Sequence, residues 1–305
     1  MSCHGRKTLP VVPTAEVPKR ESIGLIGLGP MGSAMAERLV ARGFEVLGFD
    51  IDAACLAALL DRGGRAGASV AQLAVSCPRI ILSLPNSEAV QTVLEQLEPD
   101  LHLGQVIMDT TTGRPEAVLA AARRLVGRGV AYVEAMISGN SSQIRQGEVL
   151  IIAGGASKAI TQCDDLFACF SSRVLYCGDS GSASKMKLVS NLVLGLNRAV
   201  LGEGLAFAGK LGLDLEQTLA VLRESMGYSR VMDTNGDKMI AGDFKPQARL
   251  SQHLKDVRLI LGTAAANRAR VPLSREYEQL LEQAEFAGLG AMDNSAIIQV
   301  FEPEA

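Results

Sequence analysis

The stretch Ser22-Ile-Gly-Leu-Ile-Gly-Leu-Gly-Pro-Met-Gly-Ser33 decides the fold of this chain. Its first half is a short apolar run that ends in glycines, which is typical of a buried parallel strand. Pro30 then suits the first position of a helix, because the N–H group that it lacks would be unpaired there anyway. The residues that follow have helical spacing up to Gly43. The stretch therefore predicts a strand, a glycine-rich turn and a helix in direct succession.

Strands and helices continue to alternate as far as about residue 180. Further strands are predicted at residues 44–50, 79–85, 105–111, 130–139, 148–155 and 173–178, with helices between most of them. Residues 157–171 are predicted to form a single helix. Strands that alternate with helices of 10–15 residues indicate βαβ units, so we predict an α/β fold with a doubly wound, mainly parallel sheet.

The pattern changes after Gly181, beyond which we predict helices and no strand. The first of these helices runs for about 30 residues, from Ser182 to Leu211, and is rich in Gly and Ala. Small residues let helices pack closely, so we expect this helix to be buried between domains or subunits. The predicted parts are a disordered extension of residues 1–21, an α/β domain of residues 22–181, and an all-helical domain of residues 182–305 that includes the long helix.

The composition narrows the classes of function. The chain has 305 residues, is 48% hydrophobic and 21% charged, and carries a net charge of −3, so nothing indicates binding to nucleic acid or to an anionic membrane. No apolar run is long enough to span a bilayer, and the first 22 residues lack the apolar core of a secretory signal, so we expect a cytoplasmic protein. Six cysteines without metal-ligand spacing and three scattered histidines predict neither disulfides nor a metal site.

Gly27-Leu-Gly-Pro-Met-Gly32 is a GxGxxG motif between the first strand and the first helix. In this context the three glycines allow a tight turn, the approach of a pyrophosphate and close packing of helix on strand, and the helix N-terminus attracts the phosphates. Asp50 ends the second strand, 18 residues after Gly32, where a carboxylate accepts hydrogen bonds from a ribose 2′-hydroxyl and repels a 2′-phosphate. The motif therefore predicts NAD as the cofactor in preference to NADP. We expect Asp52 to cap the next helix instead.

Two lysines lie in Gly181-Ser-Ala-Ser-Lys-Met-Lys-Leu-Val-Ser-Asn191, the start of the long helix. At about 100° per residue, Lys185 and Lys187 point about 200° apart, whereas Lys187 and Asn191 are one turn apart on one face. Oxidation of an alcohol needs a base for the hydroxyl proton, and burial on an apolar helix gives an amine the lowered pKa that this role requires. We predict Lys187 as the acid/base, Asn191 as the residue that orients it or the substrate, and Lys185 as a solvated residue.

Together these segments resemble the β-hydroxyacid dehydrogenases, a family that includes 3-hydroxyisobutyrate dehydrogenase, tartronate semialdehyde reductase and glyoxylate/succinic semialdehyde reductase. The resemblance covers residues 22–302. Its motifs are GLIGLGPMGSAMAERL (24–39), LPNS (84–87), DTTTGRP (109–115), EAMISGN (134–140), GSASKMKLVSN (181–191), HLKDVRL (253–259) and GLGAMDNSAII (288–298), which looks like the closing helix of the family.

The resemblance implies an NAD-dependent oxidoreductase that acts on CH–OH groups. Such an enzyme interconverts a small β-hydroxy acid and its semialdehyde, and works as a homodimer or homotetramer. By the resemblance, Lys187 and Asn191 are catalytic, and Ser138, Gly139 and Asn140 bind the substrate. The cofactor contacts that the glycine turn and the resemblance predict are Gly27, Leu28, Gly29, Pro30, Met31, Gly32, Asp50, Leu84, Pro85, Thr112 and Lys255.

The chain departs from the family pattern at four positions. Met136 replaces a proline, Asn140 replaces Gly or Ser, Ala183 replaces a second glycine, and Ser190 replaces the first asparagine of a pair. The identity of the substrate therefore stays open. The alternatives are an imine-reducing enzyme on the same scaffold and a catalytically silent NAD-binding regulator, and the presence of Lys187 argues against both. A 6-phosphogluconate dehydrogenase proper would need a much longer helical domain.

Overall fold

The computed structural model describes residues 21–301, which form two compact units that divide between Lys187 and Leu188. The first unit is an α/β domain and the second is helical. The predicted N-terminal extension, residues 1–21, lies outside the described residues except for Glu21. The carboxylate of Glu21 forms an ion pair with the guanidinium of Arg79, so this residue belongs to the α/β unit.

The α/β unit contains one sheet of eight strands. They are β1 (Ser22–Ile26), β2 (Glu45–Phe49), β3 (Arg65–Ala66), β4 (Arg79–Leu82), β5 (Val106–Asp109), β6 (Ala131–Ser138), β7 (Leu150–Gly154) and β8 (Arg173–Tyr176). Their order is β3-β2-β1-β4-β5-β6-β7-β8, and all neighbours are parallel except β6 and β7. The predicted fold class, a mainly parallel sheet, is confirmed.

Helices cover both faces of this sheet. They are α1 (Pro30–Ala41), α2 (Ala53–Asp61), α3 (Val70–Ser76), α4 (Ser87–Leu97), α5 (Pro115–Val126), α6 (Ser141–Gln146), α7 (Ser157–Thr161) and α8 (Asp164–Phe170), with a short 3-10 segment at Glu98–Asp100. Successive residues of β1 point to opposite faces, so Leu25 packs in one buried cluster and Ile26 in the other. Each side of the sheet therefore has its own apolar core.

Some short elements differ from the prediction. The sequence did not predict β3, α3 or α6, because elements of two to seven residues are too short to show a clear hydrophobic period. The single helix predicted for residues 157–171 is wrong: the chain forms α7 and α8, separated by Gln162 and Cys163. Cys163 adopts a non-helical conformation with φ −111° and ψ 2°, and this breaks the helix.

The helical unit is built around α9 (Ser182–Lys210), which begins in the α/β unit. The other helices are α10 (Leu215–Glu224), α11 (Val231–Ala241), α12 (Leu250–Ala266) and α13 (Pro272–Phe286). The sequence did not predict α11. The closing segment forms 3-10 turns at Leu289–Ala291 and Asn294–Phe301 rather than an α-helix. Between these turns, the buried carboxylate of Asp293 accepts backbone N–H groups of Gln247, Ala248 and Ser295, which hold the chain in this bend.

The long helix α9 carries a row of exposed apolar side chains. Val189, Val200 and Phe207 expose 58%, 65% and 63% of their surface, and they share one helix face with Met186 and Val193. The prediction that this helix is buried between domains or between subunits stays a prediction, because these side chains are exposed within one chain and no second chain is present. Among residues 21–301, α9 is also the one helix that is long and apolar enough to cross a membrane, whereas no such run was predicted from the sequence. Core helices of soluble proteins can have the same length and hydropathy.

Candidate functional site

The glycine-rich turn joins β1 to α1 at the point where the strand order reverses, which is where α/β sheets bind nucleotides. Gly27 has φ +91°, and a Cβ there would lie 2.2 Å from the carbonyl oxygen of Ser83 at the end of β4. A Cβ at Gly32 would lie 1.9 Å from the carbonyl oxygen of Gly27. Both positions therefore need glycine to bring helix and strand together. Gly29 has nothing within 4 Å of its Cβ position, which leaves open space for a phosphate group.

The other predicted turn residues play different parts. Leu28 is 3% exposed and packs in the sheet core, so its side chain is structural. Pro30 is the first residue of α1, as predicted, and Met31 is half-buried against the core. Among the motif residues, Gly29 and the α1 N-terminus thus present the open backbone surface that fits a pyrophosphate.

Asp50 is hydrogen-bonded to the glycine-rich turn that joins β1 to α1. Its Oδ2 accepts the N–H of Leu28 at 2.6 Å, and its Oδ1 accepts the N–H of Asp52 at 2.9 Å. A carboxylate has about four lone-pair positions, so both oxygens keep capacity for a ribose hydroxyl. Asp52 caps α2 through the N–H of Ala54 at 2.9 Å, as the sequence predicted.

The loop after β4 is held by a residue that the sequence analysis did not select. Thr111 is buried, and its Oγ1 accepts the N–H of Leu84 at 3.1 Å, whereas the predicted Thr112 is half-buried and Pro85 is exposed. Thr111 is in turn fixed by Asp109, whose Oδ1 accepts the N–H of Thr111 at 2.8 Å. The signal was present, because the DTTTGRP motif places Thr111 directly before the predicted Thr112.

Asp109 sits deep in the sheet beside Tyr132, whose hydroxyl donates to its Oδ2. Burial raises the pKa of Asp109 to about 6, against the opposing effect of hydrogen bonds from Tyr132 and Thr111. The pKa of Tyr132 is raised as well, mainly by burial and then by the charge of Asp109. The pair stabilises the end of β5, from which Thr111 and Thr112 extend.

The predicted substrate loop follows β6. Ser138 ends the strand half-buried, and Gly139 is exposed with φ +151°, which favours glycine. A Cβ at Gly139 would also lie 2.7 Å from Val149 Cγ1. Asn140 is the N-cap of α6: its Oδ1 accepts the N–H of Gln143 at 3.0 Å. The Oδ1 atom of Asn140 is therefore engaged in capping α6, and the contact of Asn140 with substrate stays a prediction.

The two lysines near the start of α9 are in different environments. Lys187 is 8% exposed, whereas Lys185 is exposed to solvent. The start of α9 is anchored by Glu134 of β6, whose carboxylate accepts the backbone N–H groups of Gly181 and Ser184. Glu134 is the first residue of the EAMISGN motif, and no role was predicted for it from the sequence.

Within the helical unit, Asn191, Lys255 and Asp256 come together. Asn191 is 4% exposed and donates from Nδ2 to Asp256 Oδ2 at 2.9 Å. Lys255 Nζ lies 3.0 Å from Asp256 Oδ1. Asp256 follows Lys255 directly in the chain and links two of the predicted residues, a role that was not predicted from the sequence. Among residues 21–301, no group of three or more His, Cys, Asp or Glu side chains is arranged to hold a metal ion.

Comparison with known proteins agrees with this geometry. Residues 22–178 match the model of the NAD-binding domain of 6-phosphogluconate dehydrogenase, and residues 181–301 match the model described as NAD-binding of NADP-dependent 3-hydroxyisobutyrate dehydrogenase. The chain is 31% identical over 288 residues to 2-(hydroxymethyl)glutarate dehydrogenase of Eubacterium barkeri, which covers 93% of this chain and 96% of that protein.

Two further relatives are informative. A crystal structure of 3-hydroxyisobutyrate dehydrogenase from Salmonella typhimurium has a TM-score of 0.83 at 26% identity, covering 92% of this chain and 100% of that one. Human N-PAC, named a cytokine-like nuclear factor, is 26% identical over 291 residues, which cover 93% of this chain and 52% of that protein.

The glycine turn, the sheet and the two domain matches define an NAD(P)-binding oxidoreductase that acts on CH–OH groups. The chain belongs to the β-hydroxyacid dehydrogenase family, as the seven separated motifs predicted.

Proposed function

We propose that this protein interconverts a 2-substituted 3-hydroxypropanoate and its semialdehyde with NAD, and that Lys187 is the general acid/base. The two dehydrogenases compared above are named for 2-(hydroxymethyl)glutarate and 3-hydroxyisobutyrate. Both acids carry a primary alcohol on the carbon β to a carboxylate, so this shared unit is the substrate class that we propose. Both names describe those proteins, and the assignment to this chain is ours.

The single observation that carries the proposal is the burial of Lys187 next to an exposed lysine on the same helix. A lysine amine is strongly hydrated and is almost never buried unless it is paired, so the burial of Lys187 marks a specific polar environment. Lys187 shares its helix face with Asn191, four residues later and also buried. This pairing separates Lys187 from Lys185 and gives it a polar neighbour of the kind that an acid/base needs.

In the oxidation, the Lys187 amine takes the proton of the substrate hydroxyl as the C–O bond becomes a carbonyl, and in the reduction it returns that proton. When bound, NAD supplies the acceptor for the hydride that leaves the alcohol carbon. Asn191 donates to Asp256, so its amide oxygen faces away from that carboxylate and presents an acceptor to a hydroxyl or an ammonium group. Ser138 and the backbone N–H of Gly139 are suited to hold the substrate carboxylate.

Substitution of the two lysines tests the proposal. We expect Lys187→Ala to lower kcat by about 10²- to 10⁴-fold, the range of general acid–base catalysis, without loss of NADH binding. Lys185→Ala is the matched control, since it removes the same charge from an exposed position two residues away, and it should keep kcat within about twofold. Near-wild-type turnover in Lys187→Ala would disprove the assignment.

The preference for NAD over NADP rests on Asp50. Its carboxylate lies at the end of β2 with both oxygens facing backbone N–H groups, and a 2′-phosphate placed there would meet its negative charge. We expect higher kcat/KM with NAD than with NADP, and a smaller ratio in Asp50→Ser. A preference for NADP in the wild-type protein would overturn this part of the proposal.

A second candidate function is favoured by the similarity to human N-PAC, which is named as a nuclear factor and not as a dehydrogenase. On this alternative the chain binds NAD without turnover. The discriminating measurement is NADH affinity alongside turnover on a panel of 3-hydroxypropanoates, their semialdehydes and cyclic imines. Tight NADH binding with no turnover would favour the regulator, and reduction of imines alone would favour an imine reductase.

We also propose that the protein is a soluble, cytoplasmic homodimer or homotetramer in which a second copy covers the apolar face of α9. Met186, Val189, Val193, Val200 and Phe207 form a row along this helix, and contiguous apolar surface of this kind marks interaction sites. A double substitution Val200→Glu, Phe207→Glu should give monomers in sedimentation, whereas Val126→Glu, at an equally exposed valine of α5, should not change the oligomeric state.

A further inference from the structure

The first turn of α9 is held by a carboxylate that comes from a distant part of the chain. Glu134 on β6 has no exposed surface. Its Oε1 accepts the N–H of Ser184 at 2.8 Å, and its Oε2 accepts the N–H of Gly181. These belong to the backbone N–H groups that an α-helix leaves without a partner in its first turn. One buried side chain therefore satisfies two donors of the helix that carries Lys187.

Gly181 is unable to cap this helix itself. The residue before a helix commonly caps it with its own side chain, and an acid three positions later often completes a capping box. Gly181 has φ +88°, and a Cβ there would lie 2.9 Å from Leu119 Cγ, so it has neither a side chain nor room for one. Residue 184, three positions later, is a serine. Glu134 replaces both halves of the capping box from the neighbouring strand.

The residues around the Glu134 carboxylate leave room for its contact with the start of α9 and for little else. A Cβ at Gly154 on β7 would lie 2.8 Å from Glu134 Oε2 and 3.0 Å from the Cβ of Ala183. Ala183, which stands where the family has a second glycine, is itself fully buried at this point. The absence of a side chain at Gly154 therefore leaves room for the Glu134 carboxylate to reach the first turn of α9.

We propose that Glu134 is a positioning residue for the reaction: it fixes the axial position and rotation of the α9 start and thereby places the amine of Lys187. This inference rests on the proposed role of Lys187. That lysine lies three residues after Ser184, so less than one helical turn separates it from the anchored amide. A helix advances about 1.5 Å and turns about 100° per residue, while catalytic groups need placement within about 0.5 Å. A small slip of the first turn would therefore misplace the amine.

The main test is Glu134→Gln, which keeps the shape of the side chain but replaces one acceptor oxygen with an NH₂ group that faces a backbone N–H. We expect kcat to fall by about 10- to 100-fold, as a misplacement near 1 Å does, with NADH affinity changed by less than about twofold. Loss of the negative charge at the start of the helix that carries Lys187 should also move the acidic limb of the pH profile for oxidation to lower pH. A loss of folded protein alone would lower the oxidation rate by the same factor at every pH and would leave the position of that limb unchanged.

A second helix cap in the same unit provides the control. Ser69 caps α3 by accepting the N–H of Gln72 at 3.2 Å, and α3 carries none of the proposed site residues. Ser69→Ala should keep kcat and the pH profile of the wild type, whatever it does to the melting temperature. Glu134→Asp, which keeps the charge on a shorter side chain, should give a kcat between those of the wild type and Glu134→Gln.

The outcomes separate this inference from the proposed function. If Lys187→Ala is inactive while Glu134→Gln has the kcat and pH profile of the wild type, the positioning role alone is overturned. Equal losses of kcat in Ser69→Ala and Glu134→Gln would also overturn it. If Lys187→Ala retains turnover, the proposed function fails and the positioning role fails with it. Where Glu134→Gln does not fold, a wild-type kcat and pH profile in Glu134→Asp overturns the positioning role.

Discussion

Two sets of buried polar groups, one in each unit of the chain, differ in how completely they are paired with hydrogen-bond partners. In the α/β unit, the buried carboxylates of Asp109 and Glu134 each meet donors, and the buried amide of Gln105 donates to the carbonyl oxygens of Ala74 and Cys77. In the helical unit, the guanidinium of Arg198 is 4% exposed, and its Nε and Nη1 make no hydrogen bond to the described residues. The hydroxyl of Tyr277 lies beside this guanidinium.

The helix glycines show the same difference. In α1, Gly32 has no room for a side chain, because the carbonyl oxygen of Gly27 in the glycine-rich turn occupies that space. In α9, Gly195 is packed against His253 and Tyr277, but Gly204 has nothing within 4 Å of its Cβ position. We infer that packing around the nucleotide turn leaves no room for added atoms in the α/β unit. The helical unit, by contrast, contains residues whose replacement would increase the free energy of unfolding. Four predictions test this difference.

The largest effect is expected for Gly32→Ala. The added methyl would lie 1.9 Å from a backbone carbonyl oxygen, so the turn and α1 must move apart. We expect a loss of more than about 4 kcal/mol in the free energy of unfolding, together with loss of NADH binding. Chemical denaturation and fluorescence titration measure both. Gly29→Ala, whose methyl meets open space, should keep the stability of the wild type, and a stable Gly32→Ala protein would contradict the constraint.

The next effect concerns Asp109. Its carboxyl keeps a proton up to a pKa of about 6 in the folded state but ionises near 3.8 in the unfolded chain, so the folded state binds more protons between these values. The contribution of Asp109 to stability should therefore fall as pH rises from about 4 to about 6, by on the order of 3 kcal/mol. The measurement compares the unfolding free energies of the wild type and Asp109→Asn at both ends of this range. A difference that does not depend on pH would contradict the burial effect.

A gain in stability is expected for Arg198→Met. A buried guanidinium of which two nitrogen atoms have no hydrogen-bond partner is unfavourable, and methionine fills a similar volume with apolar atoms. We expect an increase of about 2 kcal/mol in the free energy of unfolding, measured by denaturant titration. Arg79 is the contrasting position, because its buried guanidinium is paired with Glu21 and Asp165, and Arg79→Met should destabilise the protein. Destabilisation by Arg198→Met would show that the helical unit holds a partner for this charge.

The smallest effect is expected for Gly204→Ala. Gly204 lies on the face of α9 that we propose a second copy covers, so the change is made in the monomeric Val200→Glu, Phe207→Glu variant. There alanine lowers the conformational entropy of the unfolded chain and favours helix, so the free energy of unfolding should rise by about 0.5–1 kcal/mol. Gly195→Ala is the matched change in the same helix, and it should destabilise, because its methyl would lie 2.5 Å from His253 Nε2. Equal effects of the two substitutions would mean that packing does not distinguish these glycines.

Much of the α/β unit was predictable because its signals are local. Strands buried on both faces are short apolar runs, and glycines and helix caps mark their ends, so β1, α1, β2 and the capping role of Asp52 followed from the residues alone. The parts that were missed lack such signals. The two-residue strand β3 has no period, and α11 has Gly236 and polar residues on several sides. The break at Cys163 interrupts a segment whose helical pattern continues on both sides.

The candidate site was predictable as a set of motifs but not as a set of contacts. Spacing on a helix distinguished Lys187 from Lys185, because the angle between two residues of one helix depends only on their separation. It was the packed chain that selected Thr111 as the residue holding Leu84, engaged Asn140 as a helix cap, and joined Asn191 to Lys255 through Asp256. Each of these contacts links residues far apart in sequence or depends on the exact course of a loop.

The sequence by itself determined the doubly wound sheet, the nucleotide turn, the helical second half and the family to which the chain belongs, because hydrophobic period, glycine position and motif spacing are local properties. Only the tertiary structure decided which carboxylate anchors the start of α9, which apolar face of that helix is exposed, and which glycines have room for a side chain. Those outcomes depend on what lies across a strand or a helix from each residue, and the identity of that neighbour is set by packing rather than by sequence order.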